Sequence, residues 1–188
     1  MASNFDPSVY GAAIAQAIGV EPTMPLDAGE ADRSQRDALE VLSAEVVLEL
    51  EERTPIIDQG AFECCLAGVW LLHGFLDEAH AICQDVPSAS GSYWHGVMHR
   101  REGDHWNADY WFRRAGDHPA GARIASAAVE HPETVEAALG GRWDPHRFNE
   151  LVKQAKSAGG PLEAACLAVQ RAEWRALFDH DWRRAIGG

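Results

Sequence analysis

Apolar residues recur at i, i+3, i+4 and i+7 through most of the chain, and no stretch sustains the two-residue alternation of a half-buried strand. The pattern predicts an all-α fold. A short helix is expected from Pro7 to Ile18, with Ser8 near its start and Gly19 just past its end. Residues 21–31, with Pro22, Pro25 and Gly29, read as a loop lying over the body of the protein. From Ser34 to about Leu50 the apolar positions Leu39, Leu42, Val46, Val47 and Leu50 predict one helix, or two broken near Ser43.

Asp58 can cap a helix running to about His73 that is apolar on nearly every side, so it is expected to be central and buried. Gly74 ends it, and Phe75 to Asp85 forms a second helix with Leu76, Ala79, Cys83 and Val86 along one face. So short a link forces an antiparallel helical hairpin. A second hairpin follows, Tyr93 to Glu102 and Trp106 to Ala115, turned at Gly103-Asp104. Further helices are expected from His118-Pro119 to Glu130, from Pro132 to Gly140-Gly141, from Asp144-Pro145 to Gly159-Gly160, and from Pro161 to about Ile186.

In the second hairpin Gly96, Ala108, Phe112, Ala115 and Pro119 stand at or near the spacing where tetratricopeptide and Sel1-like repeats keep Gly, Ala, Phe, Ala and Pro. The first hairpin matches in part, with Leu66, Ala67 in place of Gly, and Trp70 at the aromatic position. Residues 58–119 thus resemble a TPR-like repeat, which implies stacked antiparallel hairpins in a right-handed array. On that reading the whole chain, 1–188, is one all-helical domain. Residues 1–50 form an N-terminal cap and loop, and residues 120–188 supply further helices, the last of which caps the other end. The run Trp94-His95-x-x-x-His99-Arg100-Arg101-Glu102 also resembles that of a family of uncharacterised proteins, which implies no activity.

Composition narrows the class. With 188 residues, 46% of them hydrophobic, the chain can bury the core of one compact domain, and no apolar run has the length of a membrane span. No signal-peptide pattern opens the sequence, so a cytoplasmic location is expected. The formal net charge of −13 lies wholly in residues 1–90, which hold three arginines against sixteen acidic residues. Such a field disfavours nucleic acid and membrane surfaces as partners. Cys64, Cys65, Cys83 and Cys166 show no framework spacing and read as small buried hydrophobes.

Candidate chemistry concentrates in residues 93–118, which contain four of the nine histidines, three of the seven tryptophans and two of the three tyrosines. His95, His99 and Glu102 fall within about 60° of one another on a helical wheel. Two imidazoles one turn apart plus a carboxylate on the next turn form a candidate site for one divalent metal (Zn, Fe, Mn or Ni), with His105 or His180 as further ligands. Tyr93, Arg100, Tyr110 and Arg114 form a candidate groove for a peptide or a small anionic ligand, because rings beside guanidinium groups hold ligands flat on one side and anionic on the other. The arginine pairs 100-101 and 113-114 have a plainer reading as partners of Glu102, Asp109 and Asp117, and Asp109 with Arg113 as an exposed helix pair. His73, His80, His118 and His131 read as capping or surface groups. Two functions are therefore carried forward: a helical-repeat binding or scaffold protein using the groove around residues 93–118, and a small metal-dependent enzyme of hydrolase or oxygenase type using His95, His99 and Glu102. An apolar array end would also suit a homodimer.

Overall fold

In a computed structural model that describes residues 5–19, 24–42 and 55–188, the helices begin where short polar side chains satisfy otherwise free backbone amides. Asp58 accepts from Ala61 N at 2.9 Å, Ser88 from Gly91 N at 3.0 Å, Asp104 from Asn107 N at 3.2 Å, and Asp144 from His146 N and Arg147 N at 3.0 Å each. The α-helices are α1 (Ala12–Ile18), α2 (Gln59–Leu72), α3 (Leu76–Cys83), α4 (Ala89–Glu102), α5 (His105–Ala115), α6 (Gly121–Ala128), α7 (Pro145–Ala158) and α8 (Gly160–Ile186). Short 3-10 turns cover Pro7–Tyr10, Arg33–Gln35 and Val135–Gly141, and residues 36–42 are helical. Among the described residues there is no strand, and the fold class is all-α as the periodicity predicts. No helix among them is long and apolar enough to cross a membrane.

Several boundaries move for identifiable reasons. The first expected helix divides at Gly11, whose φ of 85° is left-handed, so a 3-10 turn precedes α1. The fourth helix starts at Ala89 rather than Tyr93, because Ser88 caps it and the small polar run Ala89-Ser90-Gly91-Ser92 continues as helix. The segment expected between Pro132 and Gly141 is a kinked 3-10 turn. Residues 43–50 of the expected helix from Ser34 lie outside the described residues.

Sequential helices pack on one another, α2 on α3, α3 on α4 and α4 on α5, with α2 also against α4. Gly96 lets α4 and α5 meet, since a Cβ there would lie 2.6 Å from a ring carbon of Phe112. The last helix departs from the expected end cap. It packs on α2, α6 and α7 and buries thirteen of its 27 residues, among them Gln170, Glu173, Trp174 and Asp181. Together α8 and α4 form the interior, and twelve of the fourteen α4 residues are buried.

Their meeting is ionic. Arg100 on α4 and Glu173 on α8 form an ion pair in which both side chains are 0% exposed. Tyr93 Oη donates to Glu173 Oε1 at 2.9 Å, Trp143 Nε1 donates to Tyr93 Oη at 2.6 Å, and the Arg100 guanidinium lies 4.8 Å from the Phe148 ring centroid. Gln170 Oε1 accepts from Arg100, while its Nε2 donates to the carbonyls of Met24 and Pro25 and so ties down the loop that follows α1.

Removing one partner of a buried ion pair leaves the other charge uncompensated. Glu173→Ala is therefore expected to destabilise the fold by about 3–5 kcal/mol in chemical denaturation. Arg142→Ala, which removes the exposed pair with Asp117, should cost under about 1 kcal/mol.

Candidate functional site

The side chains of Trp94 to Arg101 leave α4 in different directions, and each finds a different partner. Trp94 Nε1 donates to Asp181 Oδ2 at 2.8 Å, and Arg100 meets Glu173. Arg101, 1% exposed, has no carboxylate partner among the described residues; it donates to the carbonyls of Leu71 at 2.6 Å and of Asp27 and Ala28 at 3.2 Å each. Burial and the neighbouring Arg100 push its pKa down to about 10. His95 and His99 turn toward α3 and α5.

There they meet His80. Ring centroids lie 4.6 Å apart for His80 and His95, 5.3 Å for His80 and His99, and 4.9 Å for the stacked pair His95 and His99. One ring nitrogen from each of the three residues falls within 4.8 Å of the others, close enough for the group to hold a metal ion. Glu102 is not in that set: its Oε2 bonds His99 Nδ1 at 3.0 Å, which leaves Nε2 of that ring as the free donor. Trp111 covers the other face of His95 in a stack 3.9 Å between centroids and 12° from parallel. His95 Nδ1 is buried and has no hydrogen-bond partner. Burial, then the neighbouring His80 and His99, lowers the His95 pKa to about 3, so the ring is neutral and keeps a lone pair.

His80 is the residue the sequence reading missed, assigning it a capping or surface role. It is half-buried on α3, immediately beside the buried Ala79, and α3 packs on α4. The available signal was that adjacency to the apolar stripe of a hairpin helix, but which helix the stripe faces is set by packing.

The expected ligand groove is divided by the fold. Tyr93 and Arg100 are 1% and 0% exposed inside the ionic network, whereas Tyr110 and Arg114 lie on the outer face of α5, where Arg114 donates to Tyr110 Oη at 3.3 Å. The four do not line one surface. Nor do the arginine pairs take the expected acids. Glu102 holds His99, Asp109 bonds His146 at 3.0 Å and Asn149 at 2.9 Å, and Asp117 pairs with Arg142 at 2.7 Å. His105 Nδ1 bonds Asn149 Oδ1 at 2.7 Å, apart from the three-histidine group. His73 bonds the Ala17 carbonyl at 2.9 Å and anchors α1. All four cysteines are free and buried, and burial pushes the Cys83 thiol up to about 12 and Cys166 to about 11.

His180 belongs to a second group, His118, His180 and Asp181, whose donor atoms also lie within 4.8 Å. This one is already committed to hydrogen bonds. Ala120 N–H donates to His118 Nδ1 at 3.2 Å, which places the ring proton on Nε2, and Nε2 bonds Ser90 Oγ at 3.0 Å. Neither His118 nitrogen keeps a lone pair for an ion. Asp181 is 0% exposed with Oδ1 unpartnered, and burial raises its pKa to about 6, while burial, His180 and Arg184 lower His118 to about 4.

No family model, curated protein or solved structure matches this chain significantly. The functional reading therefore rests on the geometry above.

The second group generates a pH test. A raised Asp181 pKa means that its contribution to stability falls as pH rises from 3.8 to about 6. A lowered His118 pKa means that its contribution is lost as pH falls from 6.5 toward about 4. The two slopes oppose each other in the wild type. Asp181→Asn removes one of them, so its melting temperature relative to wild type is expected to climb steadily between pH 4 and 7. A constant difference across that range would show that Asp181 titrates as it does in the unfolded chain.

Proposed function

We propose that this protein binds one divalent transition-metal ion through His80, His95 and His99, with Glu102 orienting His99. The observation that carries the reading is His95. Its Nδ1 is buried without a partner beside two further imidazoles, and a buried nitrogen acceptor left unpaired is costly unless something fills the gap.

The donor set suits such an ion. Neutral imidazoles favour zinc, copper, nickel or iron over the hard cations, and three of them leave a fourth position for water or an external ligand. At metal–nitrogen distances of about 2.0–2.1 Å, tetrahedral donors sit roughly 3.4 Å apart. The three ligand atoms lie within 4.8 Å of one another, so binding would draw them closer together. Glu102 on His99 Nδ1 is the carboxylate–histidine arrangement that fixes a ligand's tautomer and raises its basicity. The ion would also staple α3 to α4.

Metal binding is the part of the expected enzyme that this arrangement supports. A cleft of about 590 Å³ lined by Arg33, Arg36, Phe75 and Glu102 touches the group only through Glu102, which bonds His99 Nδ1. That is the side away from the nitrogen left to ligate.

Protein purified without a histidine tag is expected to hold about one metal per chain by elemental analysis, and a chelator should lower its melting temperature, because an ion bound only to the native state stabilises it. His80→Ala and His95→Ala should each abolish stoichiometric binding, whereas Glu102→Gln should weaken it about 10–100-fold without abolishing it. Binding that survives His80→Ala but fails in Glu102→Gln would restore the set read from helical spacing alone. Folded protein that takes up no zinc, copper, nickel or iron in titration would refute the proposal.

A further inference from the structure

The outer face of α5 carries an unusual residue set for a chain this acidic. Trp106, Tyr110, Arg113 and Arg114 fall within about 100° of one another around the helix. Trp106 is 74% exposed, and Tyr110 is 39% exposed. Among the described residues Arg113 and Arg114 have no carboxylate partner, although the chain holds 29 acidic residues against 16 basic ones. The acids nearest in sequence are engaged elsewhere, Asp109 with His146 and Asn149 and Asp117 with Arg142.

Arg113 also borders a cleft of about 510 Å³ between the end of α5 and the start of α7. The other charged groups lining it have partners: Asp117 with Arg142, Glu136 with Arg147, His146 with Asp109, and Asp144 as the cap of α7. Arg113 is the one cation among those lining residues without an acid partner among the described residues, and Asp144, the other charge outside an ion pair, is occupied by the amides of His146 and Arg147. Leu139, 68% exposed, stands at the same cleft as an uncovered apolar group.

The Arg114 guanidinium lies 5.1 Å from the Trp111 ring centroid and 5.9 Å from that of Tyr110, two rings set at 83° to one another. One of its N–H groups bonds Tyr110 Oη at 3.3 Å, and a guanidinium has further N–H groups with which to receive a carboxylate. The aromatic surface beside it adds apolar contact area at low entropic cost.

We infer that this face of α5, with the adjoining cleft, docks an acidic segment of a partner protein, its carboxylates on Arg113 and Arg114 and its apolar side chains against Trp106 and Leu139. Charge complementarity selects that occupant. Two unpaired cations beside apolar groups match a short segment in which carboxylates and apolar side chains alternate. A long polyanion would meet the chain's overall net charge of −13. The inference is independent of the metal centre, since none of His80, His95 or His99 belongs to the face.

The probe is a short fluorescein-labelled peptide of alternating glutamate and leucine, titrated with the full chain and followed by fluorescence anisotropy. Saturable binding is expected, weakened at least about tenfold by the double variant Arg113→Gln/Arg114→Gln and by Trp106→Ala, with circular dichroism unchanged. The same peptide with glutamine for glutamate should not bind, and His80→Ala should bind the acidic peptide as wild type does, so that failure of the metal reading stays distinguishable. Absence of saturation, or affinity unchanged in the double variant, overturns the proposal. So does tighter binding of single-stranded RNA that the same variants remove, which would assign the face to nucleic acid. Self-association in sedimentation that the variants abolish would assign it to a second copy of the chain.

Discussion

Arg100 and Glu173 meet with both side chains out of water, and most of the interior is arranged around making that meeting tolerable. Two buried ions cost several kcal/mol each to desolvate, and only near-complete hydrogen bonding offsets it. Tyr93, Trp143 and Gln170 supply those bonds, and the rings of Phe148 and Phe112 flank the guanidinium. Each comes from a different part of the chain, so satisfying one ion pair also positions α7, α8 and the loop after α1. The arrangement specifies a register more than it adds stability. Sliding α4 against α8 would strand a buried charge, whereas a purely apolar contact would tolerate the shift at smaller cost.

That register decides what the rest of α4 can do. With Arg100 aimed at α8, His95 and His99 are turned toward α3 and α5, where His80 and Trp111 stand. The three imidazoles are then held close, burial keeps His95 neutral, and its Nδ1 is left without a partner. The second histidine group shows the contrast. There the His118 nitrogens are saturated by a backbone amide and a serine, and what remains is a buried carboxyl whose pKa burial raises to about 6. Proximity of donor atoms alone does not make a metal centre; free lone pairs do. Trp111 links the first group to the surface, since its ring lies between His95 and the guanidinium of Arg114.

The helices were largely legible because their signals are local. Asp58, Asp104 and Asp144 cap where a polar residue before an apolar run must cap, and Gly103, with a φ of 83°, ends α4 where a left-handed residue is needed. Errors came where local signals mislead. The helix expected from Tyr93 starts at Ala89, where the small polar residues after Ser88 carry no apolar period, and Gly11 hid a break inside one. The site was legible in part. Residues 93–118 were singled out by their crowding of aromatic, histidine and arginine side chains, and that stretch does supply His95, His99, Arg100 and Arg114. Helical spacing then chose Glu102 as the third ligand, because spacing sees only one helix, while the third imidazole stands on another.

The sequence by itself determined the all-α class, the principal caps and stops, the burial of the cysteines and the stretch that carries the chemistry. Each follows from periodicity, backbone preference or composition, which act over a turn or two of chain. Tertiary structure decided which of that stretch's side chains face one another. It put Tyr93 and Arg100 in the core and left Tyr110 and Arg114 outside, although all four stand on two consecutive helices. It also brought His80 to His95 and Glu173 to Arg100, the latter across 73 residues. Long-range pairings of this kind depend on how helices pack, and no single helix records in its own spacing which neighbour will cover it.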